Sequence, residues 1–480
     1  MKNYYLRKAD ENLPHIFQKE ISADLMDCIM DRGNEIVLDL GNHYVGYFSF
    51  YLDWYEIYID TPVRLKIQFC ETKREIDDDF SAYKGGLCSS WLQEEIINID
   101  FPGKFEMPRR YAARYIKITA LATPKPFKLS YVSFKTVTSA DVCKLKSCDI
   151  NDEELKKIDI TAINTLKNCM QRVFEDGPKR DRRLWIGDFR LEALTDYCTF
   201  DELSVVRRCL YLFAAADTND CGFIPGYVYE NPYFVSGTWF LIDYALLYAV
   251  AACDYYMHTK DAETFNSIYS VIKQQMDAAD KSLDSDGIIS IPDGCDAFID
   301  WCEGLEKITA LHGVYLYALS SLITVLKELN HSDAEIFTER YENAKESALK
   351  NLFVNGSFAN KKDNFQESVH SAVWMILGDV IGGDEAKTIL TDVLNSKTTL
   401  KPFTPYMHHY VLEAMFKLSM TDEAVKYMKN IWGGMVKCGA DTFFEVFVPG
   451  DEEFSPYGDR MINSMCHAWS CTPSYFIRKK

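Results

Sequence analysis

One short segment of the chain, from Asp176 to Asp188, combines carboxylates, cations and an aromatic ring. Gly177 and Pro178 end the helical pattern that precedes it. Nearby cations lower the pKa of a carboxyl group and burial raises it, so such a cluster can separate an acid from a base. The alternative is structural: Asp176 and Asp188 cap helix ends, and the arginines pair with them at the surface. The charged and aromatic members of the segment are Asp176, Lys179, Arg180, Asp181, Arg182, Arg183, Trp185 and Asp188.

A second candidate region lies near the C-terminus. Glu445 stands alone among Phe443, Phe444, Val446 and Phe447, where an ionised carboxylate is costly without a partner. A buried lone glutamate is a functional candidate, and the alternative is a turn in which Glu445 points to water. His467 lies in a segment rich in sulfur and aromatic groups, so it is either a hydrogen-bonded core histidine or a substrate contact.

Two acidic sites remote in sequence match the needs of glycoside hydrolysis. One carboxylic acid protonates the leaving oxygen, and one carboxylate activates water or attacks the sugar. The sequence has no Gly-x-Ser-x-Gly elbow, no P-loop and no Gly-x-Gly-x-x-Gly motif, so acyl transfer, nucleotide use and a bound cofactor are not predicted.

The composition restricts the partners of the chain. Its 480 residues carry a net charge of -19, which argues against nucleic acid, and 14% are aromatic, which fits sugar binding. The start of the chain has no signal-peptide pattern, and the apolar window from Phe240 to Cys253 is short and contains Asp243. We therefore expect a cytoplasmic protein that does not bind membranes, and the sequence allows a homo-oligomer.

The 15 cysteines are odd in number and scattered. Without a secretion signal they are expected to be reduced packing residues. No Cys-x-x-Cys occurs, and the pair Cys143 and Cys148 is a weak metal pattern, so no metal site is predicted.

The pattern changes once along the chain. Between Glu35 and Thr138, short and partly alternating runs separated by turn formers are typical of an antiparallel β-sandwich. The runs lie at 35–41, 44–50, 64–69, 95–101, 115–119 and 129–134. After Ser139, helical periodicity predicts about twelve helices. The predicted starts of these helices lie near Asn151, Gly187, Asp201, Trp239, Asp261, Glu303, Ser332, Asn364, Asp384, Thr404, Thr421 and Cys466.

Twelve helices make six hairpins, and six hairpins can close into an (α/α)6 barrel with a funnel at its centre. The predicted fold is therefore mainly α, with an N-terminal β-sandwich domain at 1–140 and a barrel catalytic domain at 141–480. The long aromatic loops 217–238 and 284–302 are expected at the mouth of the funnel. The loop 79–91 of the sandwich is either a solvated connection or a lid over the neighbouring cleft.

Several ordered motifs resemble one enzyme family. Asp176-x-Pro-x-Arg-Asp-(x)3-Trp-x-Gly-Asp188 is similar to the signature loop of the α-L-rhamnosidases of glycoside hydrolase family 78. The segments 404–410, 442–445 and 466–470 resemble that family's later barrel motifs. The resemblance covers about 300 residues, and it implies a six-hairpin glycosidase that acts on a small glycoside or oligosaccharide and inverts the anomeric centre.

The resemblance also implies roles for single residues. Asp181 stands at the position of the family's general acid and Glu445 at that of the general base. The implied sugar-binding residues are Asp176, Arg180, Trp185, Asp188, Asp300, Trp301 and His467, and the match of the Asp300–Trp301 pair is the looser one.

Two features depart from the family pattern. The acid position commonly holds Glu, and Asp181 is shorter by one methylene, roughly 1.5 Å. Either the backbone comes closer, another acid serves, or activity is low. Family members often carry further β domains, including one after the barrel, whereas this sequence ends at Lys480. We therefore expect a minimal form with one sandwich.

Two other functions remain as alternatives at this stage. One is a glycosidase or phosphorylase for another sugar on the same barrel. The other is a non-catalytic carbohydrate-binding protein that has lost its acid.

Overall fold

The computed structural model describes residues 1–22, 27–451 and 453–479. Its N-terminal part is an eight-stranded antiparallel sheet in the order β1-β8-β3-β7-β4-β5, with β2 paired to β8 and β6 to β3. The strands are β1 (Phe17–Ser22), β2 (Cys28–Met30), β3 (Glu35–Trp54), β4 (Val63–Cys70), β5 (Glu94–Ile99), β6 (Gly103–Glu106), β7 (Tyr111–Ala122) and β8 (Phe127–Thr138).

Strand β3 is a single long strand of the sheet. The sequence predicts two strands here, but Gly41, with φ of 80°, shifts the register between Asp39 and Tyr44 without ending the strand. The first part of β3 pairs with β7, and the later part pairs with β6 and β8. Alternate residues of the long strands, such as Phe48, Phe50 and Phe134, are buried in one apolar core. The strands β1, β2 and β6 lie outside the predicted runs.

Helices dominate the rest of the chain, and twelve of those described begin after residue 150, as the periodicity predicts. The helices are α1 (Lys2–Glu11), α2 (Glu153–Cys169), α3 (Ile186–Cys198), α4 (Leu203–Ala214), α5 (Ile242–Thr259), α6 (Ala262–Lys281), α7 (Ile308–Glu328), α8 (Ala334–Asn351), α9 (Val369–Leu377), α10 (Gly383–Asn395), α11 (Pro405–Lys417), α12 (Thr421–Lys437) and α13 (Pro473–Arg478). Two small sheets connect them: β9 (Leu184–Trp185) with β10 (Tyr227–Tyr229) and β11 (Val235–Ser236), and β12 (Phe353–Val354) with β13 (Ser357–Lys361) and β14 (Asn364–Glu367).

Three predicted helix starts are wrong by several residues. The helix predicted near Asn364 is strand β14, which pairs with β13, and the helix begins only after Ser368 caps it by accepting a hydrogen bond from Ser371 N. The helix predicted near Glu303 begins at Ile308, and the last one begins at Pro473 after a short 3-10 turn. Local pairing and caps decided these boundaries, and periodicity does not report them.

The helices fall into two classes by burial. Helices α3, α5, α7, α9 and α11 are buried on nearly all sides, whereas α6, α8, α10 and α12 each expose one face. Consecutive buried helices pack against one another, and α13 packs against α3. Helix α1, although N-terminal, packs on α4, and its Tyr5 and Ala9 belong to the core of the helical part.

Helix α7 is more apolar than the segment 240–253, which the sequence analysis considers as a membrane span. Its length and composition alone would let it cross a membrane, with a mean hydropathy of 1.5 over a window that is 72% buried inside the fold. It packs against α5, α8 and α9. The core helix of a folded protein can have the same length and apolar composition as a membrane span.

The sandwich is bonded to the helical part through a buried lysine. Lys179 is 1% exposed and donates hydrogen bonds to Glu75 Oε1 at 2.7 Å, to Asn463 O at 3.0 Å and to Met461 O at 3.2 Å. Burial lowers the pKa of Lys179, but the charges of Glu75 and Glu71 outweigh it and leave the pKa raised. Glu71 also accepts a hydrogen bond from Met465 N at 2.7 Å. The segment that follows β4 thus holds two loops of the helical part in place.

Lys179→Met should destabilise the protein by about 3 kcal/mol, because it leaves the buried Glu75 carboxylate without its cation. The midpoint of urea unfolding measures this loss. A second change, Glu75→Gln in the same chain, removes the uncompensated charge and should recover part of the stability.

Lys84→Met is the matched control, since the side chain of Lys84 is exposed and only its backbone bonds to Asp459. It should change the stability by less than about 0.5 kcal/mol. Equal midpoints for Lys179→Met and the unsubstituted protein would contradict the importance of the buried lysine.

Candidate active site

A cavity of about 390 Å³ opens at the N-terminal ends of α3 and α5, and its size is that of a small-molecule site. It collects residues from both parts of the chain. The lining residues are Leu87, Trp91, Asp176, Arg180, Asp181, Arg183, Trp185, Asp188, Tyr227, Trp239, Leu241, Tyr244, Phe298, Trp301, Glu445, Tyr457, His467 and Trp469. Asp181 and Glu445, which the sequence analysis expects to act together, therefore share one cavity.

The loop that carries Asp176 and Asp181 is closed by its own backbone. Asp176 N donates to Arg183 O, and Arg183 N donates to Asp176 Oδ1, both at 3.0 Å. Gly177 is required because a Cβ there would lie 2.7 Å from Arg180 O. The chain then enters α3, which puts Asp188 in the first turn of the helix. The three carboxylates are thus fixed by a tight loop and a helix start.

Glu445 lies in an irregular segment that hydrogen bonds from other parts of the chain hold in place. Its backbone N donates to Ser464 O at 3.0 Å, and Trp469 Nε1 donates to its carbonyl oxygen at 2.9 Å. The preceding Phe443 N donates to Thr165 Oγ1 of α2 at 2.8 Å. The side chain is 2% exposed, so the alternative in which Glu445 points to water does not apply.

Three donors surround the Glu445 carboxylate. Arg180 Nη2 and Ser464 N donate to Oε2, the latter at 3.2 Å, and Tyr457 Oη donates to Oε1 at 2.6 Å. Burial raises the pKa of Glu445, but the charge of Arg180, followed by the effects of His467, Tyr457 and Ser464, leaves it below its ordinary value. Glu445 is consequently ionised at neutral pH.

Among the described residues, no lysine or arginine forms an ion pair with Asp176 or Asp188. Burial raises the pKa of both groups well above the ordinary value. The charges of Asp181 and Asp188 raise the pKa of Asp176 further. For Asp188, a hydrogen bond from its own backbone opposes the shift, and the charges of Glu445 and Asp181 add to it. Asp181 differs from both, since it is 22% exposed and its Oδ2 lies 3.4 Å from Arg183 Nη1. The cavity therefore holds one clearly ionised carboxylate and two carboxyls that favour the neutral form.

His467 lies between the two kinds of acid. Its Nδ1 is 3.5 Å from Asp188 Oδ1, and its Nε2 is 3.9 Å from Glu445 Oε1. Burial lowers its pKa to about 4, although the charge of Glu445 opposes this shift. Within the described part of the chain, His467 Nδ1 and Asp188 Oδ1 have no hydrogen-bond partner. These two unsatisfied atoms belong to residues that line the cavity, and buried polar groups without a partner are often found at functional sites.

Aromatic rings form most of the remaining wall. Trp185 lies 4.5 Å from Tyr227 and 6.0 Å from Trp239, measured between ring centroids. Trp301 lies 5.2 Å from Trp469 and 5.6 Å from Tyr457. Trp185 and Trp301 are therefore where the sequence analysis expects them, beside the acids.

Asp300 is not at the cavity, although the sequence analysis expects it to bind sugar. Its Oδ2 accepts hydrogen bonds from His370 Nε2 and Phe403 N, each at 2.7 Å, and its Oδ1 accepts one from Thr404 Oγ1 at 2.7 Å. These partners occupy the carboxylate, so the expected sugar contact is corrected: Asp300 joins the loop before Trp301 to the starts of α9 and α11.

Several lining residues escaped the sequence analysis. Tyr457 belongs to no recognised motif, and only its position shortly after the Glu445 segment could have indicated that it lines the cavity. Tyr227 belongs to the aromatic loop 217–238 that the sequence places at the mouth, and Trp239 was expected at the start of the helix that follows it. The loop 79–91 does reach the cavity, through Leu87 and Trp91. Among the described residues, no group of three or more His, Cys, Asp or Glu is placed to hold a metal ion.

Comparison with family models gives two adjacent matches. Residues 12–138 match the glycosyl hydrolase family 78 alpha-rhamnosidase N-terminal domain, and residues 145–480 match the bacterial alpha-L-rhamnosidase six-hairpin glycosidase domain. Comparison with curated proteins gives no match.

Solved structures show the same two-part arrangement. A rhamnosidase from Klebsiella oxytoca with rhamnose bound is 34% identical, with a TM-score of 0.94, and the match covers 99% of this chain and 98% of that one. The family 78 rhamnosidase of Bacillus sp. GL1 is 20% identical, with a TM-score of 0.79 over 94% of this chain and 46% of that one. The Streptomyces avermitilis α-L-rhamnosidase complexed with L-rhamnose is 15% identical, with a TM-score of 0.71 over 96% and 44%. The last two share the fold and are about twice as long.

The matched residues cover almost the whole chain, and the Klebsiella oxytoca structure is similar over its full length. This chain belongs to glycosyl hydrolase family 78 and is an α-L-rhamnosidase-like glycoside hydrolase with a six-hairpin glycosidase domain.

Proposed function

We propose that the protein hydrolyses terminal α-L-rhamnosides, or glycosides of a similar deoxy-sugar, with inversion at the anomeric carbon. The observation that carries the proposal is the presence of Asp181 and Glu445 in one cavity, with Arg180 next to Asp181 in the chain and bonded to Glu445. The similarity to a rhamnosidase with rhamnose bound supports the choice of sugar.

Glu445 acts as the general base in this proposal. A base must be ionised before it accepts a proton, and Arg180 keeps Glu445 in that form. Tyr457 and Ser464 N fix the orientation of the carboxylate, so a water between Glu445 and the sugar would be aligned for attack. When Glu445 takes the proton of this water, the water oxygen bonds to the anomeric carbon.

Asp181 acts as the general acid and gives its proton to the leaving oxygen. It is more exposed than Glu445, which suits a group that meets the departing part of the substrate. The charge of Asp181 is one of the causes that raise the pKa values of Asp176 and Asp188, so these two neighbours favour the protonated form. In this proposal, the tight loop that carries Asp181 sets the position of its carboxyl group and compensates for a side chain shorter than that of Glu.

The deep end of the cavity is proposed as the sugar subsite. Asp176 and Asp188 favour the protonated form and can donate to sugar hydroxyls, while Arg180 and neutral His467 offer further polar contacts. The rings of Trp185 and Trp301 provide an apolar wall. A deoxy-sugar has a methyl group where other hexoses have a hydroxymethyl, and such a wall favours the methyl group.

We also infer that the helices close into an (α/α)6 barrel with α3, α5, α7, α9, α11 and α13 inside. The packing of successive buried helices supports this arrangement. The two ends of the ring meet at Phe476 of α13, whose ring lies 5.1 Å from those of His409 and Phe416 of α11. In this barrel, the N-terminal ends of the inner helices surround the cavity.

Substrates with different leaving groups separate the two proposed roles. Asp181→Asn should lower kcat/KM for methyl α-L-rhamnoside by roughly 1,000-fold, but by much less for dinitrophenyl α-L-rhamnoside, whose leaving group needs no proton. Glu445→Gln should lower kcat/KM for both substrates by a similar factor, because every substrate needs the attacking water. Steady-state kinetics with both rhamnosides measure the difference.

Asp293→Asn, at an exposed position away from the cavity, is the control and should leave both values unchanged. Turnover like that of the unsubstituted protein in Asp181→Asn or Glu445→Gln would remove that residue from the mechanism. An equal loss on both substrates in Asp181→Asn would contradict its role as the acid.

Tyr457→Phe should move the acid limb of the pH profile to higher pH. The hydroxyl of Tyr457 favours the charged form of Glu445, so without it the pKa of Glu445 rises and the base is protonated at a higher pH. The dependence of kcat/KM on pH reports this group in the free enzyme.

Tyr83→Phe is the control for this experiment, because the hydroxyl of Tyr83 bonds to Leu87 O and not to Glu445. Its acid limb should stay in place. If the acid limb of Tyr457→Phe stays at the same pH or moves to lower pH, the ionisation of Glu445 does not determine that limb.

A further inference from the structure

The cavity has a deep end and an open end that differ in chemistry. Glu445 and Asp188 at the deep end are each 2% exposed, whereas Trp239 is 45% exposed. Leu87 and Trp91 are half-buried and line the same cavity. Asp181 is intermediate, at 22% exposed. If Asp181 protonates the leaving oxygen, the leaving group lies on the open side of Asp181.

Part of the open end comes from the sandwich domain, in the loop that carries Leu87 and Trp91. This loop is fastened to the helical part, since Gly86 N donates to Tyr457 O at 2.8 Å and Lys84 N donates to Asp459 Oδ2 at 3.0 Å. Beneath it, Phe80 and Leu92 pack with Ile462 in a small buried cluster. The loop is thus a preformed wall of the cavity, and a preformed wall needs little ordering when a ligand binds.

Few polar side chains line the open end, and among the described residues Arg183 Nε has no hydrogen-bond partner. Arg183 lies 3.4 Å from Asp181, and its guanidinium is 4.9 Å from the ring centroids of both Tyr227 and Tyr229. A sugar in this place would bring several hydroxyls that need partners, and leaving them unpaired is costly. A flat ring system with few hydroxyls would instead cover the exposed faces of the aromatic side chains.

We propose that Leu87, Trp91 and Trp239 form the leaving-group subsite, and that it selects an uncharged aromatic aglycone. This inference rests on the proposed function, because Asp181 as the acid defines which side of the cavity receives the leaving group. The sandwich domain then contributes directly to substrate choice.

The test compares two substrates that share the sugar. Trp91→Ala should lower kcat/KM for 4-methylumbelliferyl α-L-rhamnoside about 10-fold or more, because the lost ring contact weakens binding of the bicyclic leaving group. The value for α-L-rhamnosyl fluoride, which leaves the open end empty, should stay within about 2-fold. Leu87→Ala should act in the same direction with a smaller effect. Trp54→Ala, at another partly exposed tryptophan of the sandwich, should change neither value.

The midpoint of thermal unfolding shows independently of activity that each variant is folded. Equal losses on both substrates in Trp91→Ala and Leu87→Ala, or no loss on either, would overturn the aglycone subsite while the proposed function stands. A larger loss on a rhamnosyl disaccharide than on the aryl rhamnoside would overturn the choice of an aromatic aglycone. Failure of the unsubstituted protein to hydrolyse either rhamnoside would overturn the proposed function and this inference with it.

Discussion

The buried ion pair between Arg180 and Glu445 is the interaction on which the rest of the site depends. The two residues are 265 positions apart in the chain, and each is at most 4% exposed. A buried charge is costly unless it is paired and hydrogen-bonded, so the fold has to bring both segments together. Tyr457, Ser464 and Ile462 complete the hydrogen bonding of the pair. The same contacts that make the pair tolerable also orient Glu445 towards the cavity.

The sandwich domain belongs to the same arrangement. Lys179, next to Arg180, is bonded to Glu75 of the sandwich, and Met465 N, beside the Glu445 partner Ser464, is bonded to Glu71. The segment that follows β4 therefore fixes the loops on both sides of the ion pair. Leu87 and Trp91 extend this contribution into the cavity wall. The two domains build one site, which accounts physically for their occurrence in one chain.

The sequence predicted the parts of the site that follow from physical cost or from dense motifs. A lone Glu445 among phenylalanines had to find a partner, and the Asp176–Asp188 segment was too charged to be ordinary packing. Asp300 was misassigned because the sequence does not show that His370 and Thr404 would occupy its carboxylate. Tyr457 was not predicted, and the sequence left open whether the loop 79–91 reaches the cavity, since both roles arise from docking between segments that are more than 360 residues apart. Strand β14 replaced a predicted helix because its pairing with β13 overrides local periodicity.

The central claim is that a water, and not the enzyme, attacks the sugar, with Glu445 held ionised as its base. The configuration of the first product tests this most directly. Proton NMR during hydrolysis of an aryl α-L-rhamnoside should show β-L-rhamnose first, with the α anomer rising later by mutarotation. Initial release of α-L-rhamnose would mean that the reaction passes through a covalent intermediate, and it would contradict the account.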